Sequence, residues 1–156
     1  MLPDEEYMKI YFAGAIRAGR NDATIYEAMI KWLQSFGEVL TEHVGDTALT
    51  EAGDDGPSDR YIHDRDMAWL SSSDLVVAEV TVPSLGVGYE LGWATALKKP
   101  VLCLRRQMPG RPLSAMIAGS PGIQTSAYFT IKEAETIMEE FIRKTAAGIT
   151  GSTRSN

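Results

Sequence analysis

One cysteine in 156 residues, Cys103, leaves no partner for an internal disulfide and no second thiolate for a metal site. Histidine is almost as scarce. With His43 and His63 the only imidazoles, no metal centre is expected. No apolar run approaches the roughly 20 residues that cross a bilayer, and the opening MLPDEEYMK lacks the basic and apolar stretches of a signal peptide. The expectation is therefore a soluble intracellular protein without a membrane partner, cytoplasmic, with the nucleus left open as a second compartment. Positive charge is also short. Fifteen basic against 21 acidic residues give −6, which excludes the broad basic footprint that grips a nucleic-acid polymer. A few local donors can still hold an anionic small molecule.

What the chain does have is alternation. MKIYFAGAI (8–16) reads as a buried strand running into a loop, and NDATIYEAMIKWLQSFG as a helix. That helix is capped at Asn21 or Asp22, is apolar at Ile25, Met29, Ile30, Leu33 and Phe36, and stops at Gly37. EVLTEHV follows as a second strand, then a turn-rich acidic surface loop from Gly45 to Ser58. DRYIHDRDMAWLSSSD returns to helical spacing, with Ile62, Met67 and Leu70 inward. DLVVAEV, PVLCLR and IQTSAYF supply three more strands, GYELGWATALKK and TIKEAETIMEEFIRKTA two more helices. The fold class this predicts is α/β, a single doubly wound five-stranded parallel sheet, Rossmann/flavodoxin-like, with helices on both faces. One domain spans 8–147, and 1–7 and 148–156 are expected to be flexible tails.

Ligands of such sheets sit beyond the carboxyl ends of the strands, where strand order reverses. That directs attention to AGAIRAGR after the first strand and TVPSLGVGYE after the third. In the second loop Gly86 and Gly88 let a ligand approach the backbone, Ser84 adds a hydroxyl, and the following helix start suits a phosphate. Glu90 lies in the first turn or two of that helix, where the dipole favours its ionised form. From spacing alone it reads equally as a nucleophile and as a residue closing the helix end, because G-V-G-Y-E-L-G is neither a dinucleotide fingerprint nor a P-loop. Asp66, near Asp64 and His63 on the preceding helix, would complete a carboxylate pair for cleavage at an anomeric carbon. In isolation these aspartates read as helix solvation. Arg17 and Arg20 flank the first loop, where a guanidinium can hold phosphate, and Tyr11 could reach a sugar or base. Alone, the tyrosine reads as core and the arginines as surface. Cys103, Trp32, Trp69, Met29 and Met67 read as packing, and His63 as a hydrogen-bonded helix-surface residue.

Taken together, YFAGAIRAGR, FGEVLTEHV, RYIHDRDMAWL, DLVVAEVTVPSLGVGYELG and GRPLSAMI resemble the Rcl-type 2′-deoxynucleoside 5′-monophosphate N-glycosidases. These belong to the wider nucleoside 2-deoxyribosyltransferase superfamily. The likeness runs from about Lys9 to Lys144. It implies hydrolysis of the base–deoxyribose bond of a deoxynucleoside monophosphate, with no metal or organic cofactor. Glu90 then resembles the nucleophile that forms a covalent glycosyl ester. Asp66 resembles the carboxylate serving leaving base and incoming water, and Tyr11 the tyrosine beside sugar and nucleophile. The resemblance implies substrate binding by Gly14, Ala15, Ile16 and Gly19, a phosphate pocket from Arg17, Ser84 and the Gly86 to Gly88 backbone, and a base-side His43. It further implies a homodimer in which Ser114 reaches the neighbouring subunit's phosphate; by itself Ser114 reads as a helix cap. One departure stands out. Ala15 replaces the serine of the family's GSIR, removing a donor worth ~1–3 kcal/mol to a charged phosphate. Base preference, purine or modified pyrimidine, stays open. So do two other activities: a deoxyribosyltransferase, and a nucleotide sensor without turnover.

Overall fold

The computed structural model describes residues 8–16, 22–45 and 57–152. Five parallel strands stand in the order β2-β1-β3-β4-β5: β1 (Met8–Ala13), β2 (Gly37–Val39), β3 (Leu75–Glu79), β4 (Val101–Arg106) and β5 (Ile123–Tyr128). This is the flavodoxin-like order, and its switch point falls between β1 and β3. The helices are α1 (Ala23–Leu33), α2 (Asp59–Ser72), α3 (Leu85–Ala96), α4 (Ala115–Ala118) and α5 (Ile131–Ser152).

Because successive strand residues point to opposite faces, each strand feeds two cores. Ile10, Phe12, Leu75, Val77, Leu102 and Leu104 pack with Tyr26, Met29, Ile30 and Leu33 of α1 and Met138, Phe141 and Ile142 of α5. The intervening Tyr11, Ala13, Val76, Ala78, Val101 and Cys103 pack with Leu70 of α2 and Val87, Leu91 and Ala94 of α3. Alternation therefore sends Tyr11 to the α2/α3 face. Cys103 is buried there, and burial pushes its thiol up to about 12, an inert core group.

Several boundaries differ from the sequence expectation. The second strand, expected over EVLTEHV, is only Gly37–Val39, and Glu42–Gly45 forms a 3₁₀ turn. Thr41 explains the stop. Its hydroxyl donates to the Phe12 carbonyl at 2.6 Å and accepts the Phe12 amide at 2.9 Å, replacing the ladder with side-chain bonds. α3 starts at Leu85, not Gly88, because Ser84 accepts the Val87 amide at 3.3 Å and caps it there. At α1 Asp22 holds the cap position, yet its carboxylate binds Arg106 at 3.0 Å instead of capping. α5 runs through Gly148 to Ser152, beyond the limit set at 147, since no proline interrupts it. In the helix over 59–72 Leu70 is fully buried, while Ile62 and Met67 are only partly so. Asn21, most of the acidic loop (46–56) and residues 1–7 and 153–156 lie outside the described residues.

Candidate active site

Tyr11 is the floor of the site. It is 1% exposed, and its hydroxyl hydrogen-bonds the carboxyl of Glu90. Burial first, then the nearby Glu90 and Asp66 carboxylates, push the Tyr11 phenol up, so it donates.

Glu90 is the sixth residue of α3, in its second turn. The helix dipole acts within the first turn, so burial decides its state. Burial, with Asp66 adding repulsion, raises its pKa to about 8 against the opposing Tyr11 hydrogen bond. Burial therefore works against the ionised form that the dipole argument favours. Nor does Glu90 close the helix end, which is Ser84's task.

Asp66 comes from α2, within electrostatic reach of both Tyr11 and Glu90. Arg65 Nε donates to Asp66 Oδ1 at 2.9 Å, the two side chains being 18% and 20% exposed. The Arg65 guanidinium stacks on Trp69, 4.7 Å from its centroid, and Nη2 reaches His43 Nε2 at 3.4 Å. Arginine only donates, so His43 accepts through Nε2 and holds its proton on Nδ1. The His43 and Trp69 rings lie 5.8 Å apart.

Gly86 and Gly88 occupy the first turn of α3, not a loop before it. A Cβ at Gly88 would meet nothing within 4 Å, and one at Gly86 only the Ser84 hydroxyl at 3.8 Å, so the helix start faces open space. Gly14 serves packing: a Cβ there would stand 3.0 Å from the Tyr26 ring. The fully buried Ala15 donates its amide to the Tyr26 hydroxyl at 3.2 Å, so that amide is turned to α1. Ile16 packs partly buried against the α1/α5 core. Arg17, Gly19 and Arg20 lie outside the described residues. Ser114 is exposed and precedes α4 without a side-chain capping bond. His63, on the α2 surface, contacts Asp64 at 2.9 Å and the Tyr89 hydroxyl at 3.1 Å. Among the described residues no group of three His, Cys, Asp or Glu is placed to hold a metal ion.

Arg65 was not picked out from the sequence, and Trp69, which packs against the α2/α3 core as expected, also carries the Arg65 guanidinium. Their i,i+4 spacing on one helix, with Arg65 beside Asp66, was the available signal. Nor was Glu79 picked out, a carboxylate inside the apolar run LVVAEV. Glu79 is fully buried and accepts the Tyr128 hydroxyl at 2.9 Å and the Thr81 amide at 2.6 Å.

A parallel sheet with a carboxylate pair and an open helix start at its switch point defines an α/β enzyme suited to reaction at a glycosyl carbon. The chain belongs to the nucleoside 2-deoxyribosyltransferase family, whose profile matches residues 10–142. A Danio rerio protein named 5-hydroxymethyl-dUMP N-hydrolase is 53% identical over 137 residues, covering 86% of this chain and 95% of its own. The Esox lucius protein of the same name is 49% identical over 142 residues, covering 87% and 97%. Among solved structures, the Clostridium botulinum CMP N-glycosidase BcmB has the same fold, with a TM-score of 0.59 over 84% of this chain and 98% of that one, at 18% identity.

Proposed function

We propose that the protein hydrolyses the N-glycosidic bond of 2′-deoxynucleoside 5′-monophosphates, giving free base and 2-deoxyribose 5-phosphate. The observation that supports this most is the convergence of Glu90, Tyr11 and Asp66 beside the glycine-opened start of α3. The names of the Danio and Esox relatives agree with it.

The 5′-phosphate sits at the α3 start, receiving amides of the first turn and the Ser84 hydroxyl, with the Arg17 guanidinium as a further donor. This places the deoxyribose over Glu90 and Tyr11. Glu90, ionised, forms a bond to C1′ as the C1′–N bond breaks, the electron pair leaves with the base, and Asp66 gives the base nitrogen a proton. Water then attacks C1′, Asp66 takes its proton, and Glu90 is released. The working state holds one proton on the carboxylate pair, on Glu90 at rest and on Asp66 when Glu90 attacks. Tyr11 steers Glu90 and fills the space a 2′-hydroxyl would need.

The working unit is a homodimer. Leu85, Tyr89 and Trp93 of α3 and Leu97 at its C-terminal cap are exposed at four-residue spacing, and Met116 stands exposed two residues beyond Ser114. Faces of this kind mark contacts between chains. Ser114 of one subunit reaches the phosphate held by the other. Ser114→Ala is expected to raise KM about tenfold at unchanged kcat, a hydrogen bond to a charged group; an unaltered KM, or a fully active monomer in sedimentation, counts against the shared site.

The test of the activity is a panel of deoxynucleoside monophosphates, with ribose and unphosphorylated counterparts, assayed for released base in the presence of excess acceptor base. Deoxyribose 5-phosphate as the sugar product supports hydrolysis. A new nucleotide would assign a deoxyribosyltransferase, and binding without release a sensor.

A further inference from the structure

Arg65 is the cation seen beside the carboxylate pair among the described residues, and its surroundings fix it from three sides: Asp66 at 2.9 Å, the Trp69 ring at 4.7 Å and His43 at 3.4 Å. Its charge is felt as far as Tyr11. Strand order places it relative to substrate. The α3 start follows β3, Tyr11 lies on the neighbouring β1, and His43 follows β2 on the far side of β1. With phosphate at the β3 end and sugar over β1, the base extends toward β2, where Asp66, Arg65, His43 and Trp69 stand.

Resting on the N-glycosidase reading, we propose that Arg65 is the positioning residue of the departure step. It holds Asp66 against the leaving nitrogen and neutralises the negative charge that this carboxylate acquires as its proton passes to the base. The balance is simple: C1′–N breaks with its electron pair on the base, one proton moves from Asp66 to that nitrogen, and Glu90 bonds to C1′. Without Arg65, two carboxylates would face a group that is gaining negative charge with no cation bonded to Asp66 to offset it. The fixed fork of the guanidinium, stacked on Trp69, also sets the direction in which Asp66 points.

The test uses Arg65→Met and Arg65→Lys with 5-fluoro-, unsubstituted and 5-methyl-deoxyuridine monophosphates, similar in shape but different in the acidity of the base that leaves. A base that leaves well as an anion needs little help from an acid. Arg65→Met is expected to lower kcat roughly 100-fold for the 5-methyl substrate and under tenfold for the 5-fluoro one, with KM little changed. Arg65→Lys, which keeps the charge without the fork, should recover part of the loss and most of the leaving-group independence. The same fractional loss for all three bases would overturn the proposal, as would failure of Lys to improve on Met. If Met abolishes folding, the leaving-group slope of the Lys variant decides: steeper than wild type supports the role, and an identical slope removes it. A wild-type protein releasing no base from any of the three, nor from any other member of the deoxynucleoside monophosphate panel, overturns the activity itself, which separates the two readings.

Discussion

Two glutamates on opposite faces of one sheet each bond a tyrosine hydroxyl, and each has its pKa raised by burial, yet the proposed mechanism uses only one. Glu79 faces α1 and α5. Tyr128 and the Thr81 amide satisfy both its oxygens, the Thr81 side chain adds a further bond, and it has no solvent exposure. Arg106 binds Asp22 through its guanidinium and Thr81 through its amide, tying that network to the ends of β4 and α1. Glu90, on α3, faces Tyr11 of β1 and Asp66 of α2. It has one tyrosine, a second carboxylate as neighbour, and a residue surface still partly open. A buried carboxylate with both oxygens bonded is a fastening. One left short of partners and beside a like charge is held at high energy, which is what a nucleophile needs.

The comparison breaks most sharply by removing each charge in turn. Glu90→Gln is expected to lower base release by ~10⁴-fold, the scale on which an essential nucleophile acts, in a protein that still binds the monophosphate by calorimetry. Glu79→Gln should keep activity within about tenfold while lowering the melting temperature, because a buried acceptor exchanges one oxygen for an unneeded donor. Equal losses of activity in both variants would erase the distinction. Asp66→Asn comes next, with an expected fall of about 10²–10³-fold in kcat for loss of proton transfer; near-wild-type turnover would remove its role.

The pH dependence sharpens the same point. If the pair works with one proton, kcat/KM falls tenfold per unit as pH rises through about 8, where Glu90 loses its proton in the free protein. The substrate phosphate is already fully ionised there, since its second pKa is about 6. A rise through that range would mean that both carboxylates must be charged. Stability follows the same group. An unfolded glutamate titrates at 4.5 and the folded one at about 8. The native state therefore keeps a proton the unfolded chain has lost, and stability from Glu90 is complete below 4.5 and lost as pH rises to about 8. Glu90→Gln should gain on wild type in denaturant melts at pH 9, by on the order of a few kcal/mol, and show no gain at pH 4. The smallest effect is expected for Tyr11→Phe: about tenfold less discrimination between deoxyribo- and ribonucleotides, on the scale of one lost hydrogen bond. An unchanged ratio would take the sugar-side role from Tyr11.

Much of this was legible in the sequence because it is periodic or local. The alternation of apolar strands with amphipathic helices gives the sheet, and parity along MKIYFA sends Tyr11 to the same face as α2 and α3. What was not legible depends on side chains meeting across long separations. Thr41 bonding Phe12 shortened β2, and Ser84 capping at Val87 moved two glycines from a loop into α3. The direction of the Glu90 shift was not legible for a related reason. A helix position suggested the dipole, whereas the opposing strand and helix supplied burial and a second carboxylate. Arg65 carries no signal of its own in the sequence, because its partners come from the 3₁₀ turn and from Trp69 one helical turn on.

The most direct measurement is mass spectrometry of the protein quenched in acid during turnover of a 2′-fluoro-2′-deoxyarabinonucleotide, an analogue whose fluorine slows release of a glycosyl ester. One fluorinated sugar phosphate on the peptide spanning α3, attached at Glu90, is the expected result. Base released in stoichiometric burst with Glu90 unmodified, or with the sugar on another residue, would contradict the assignment.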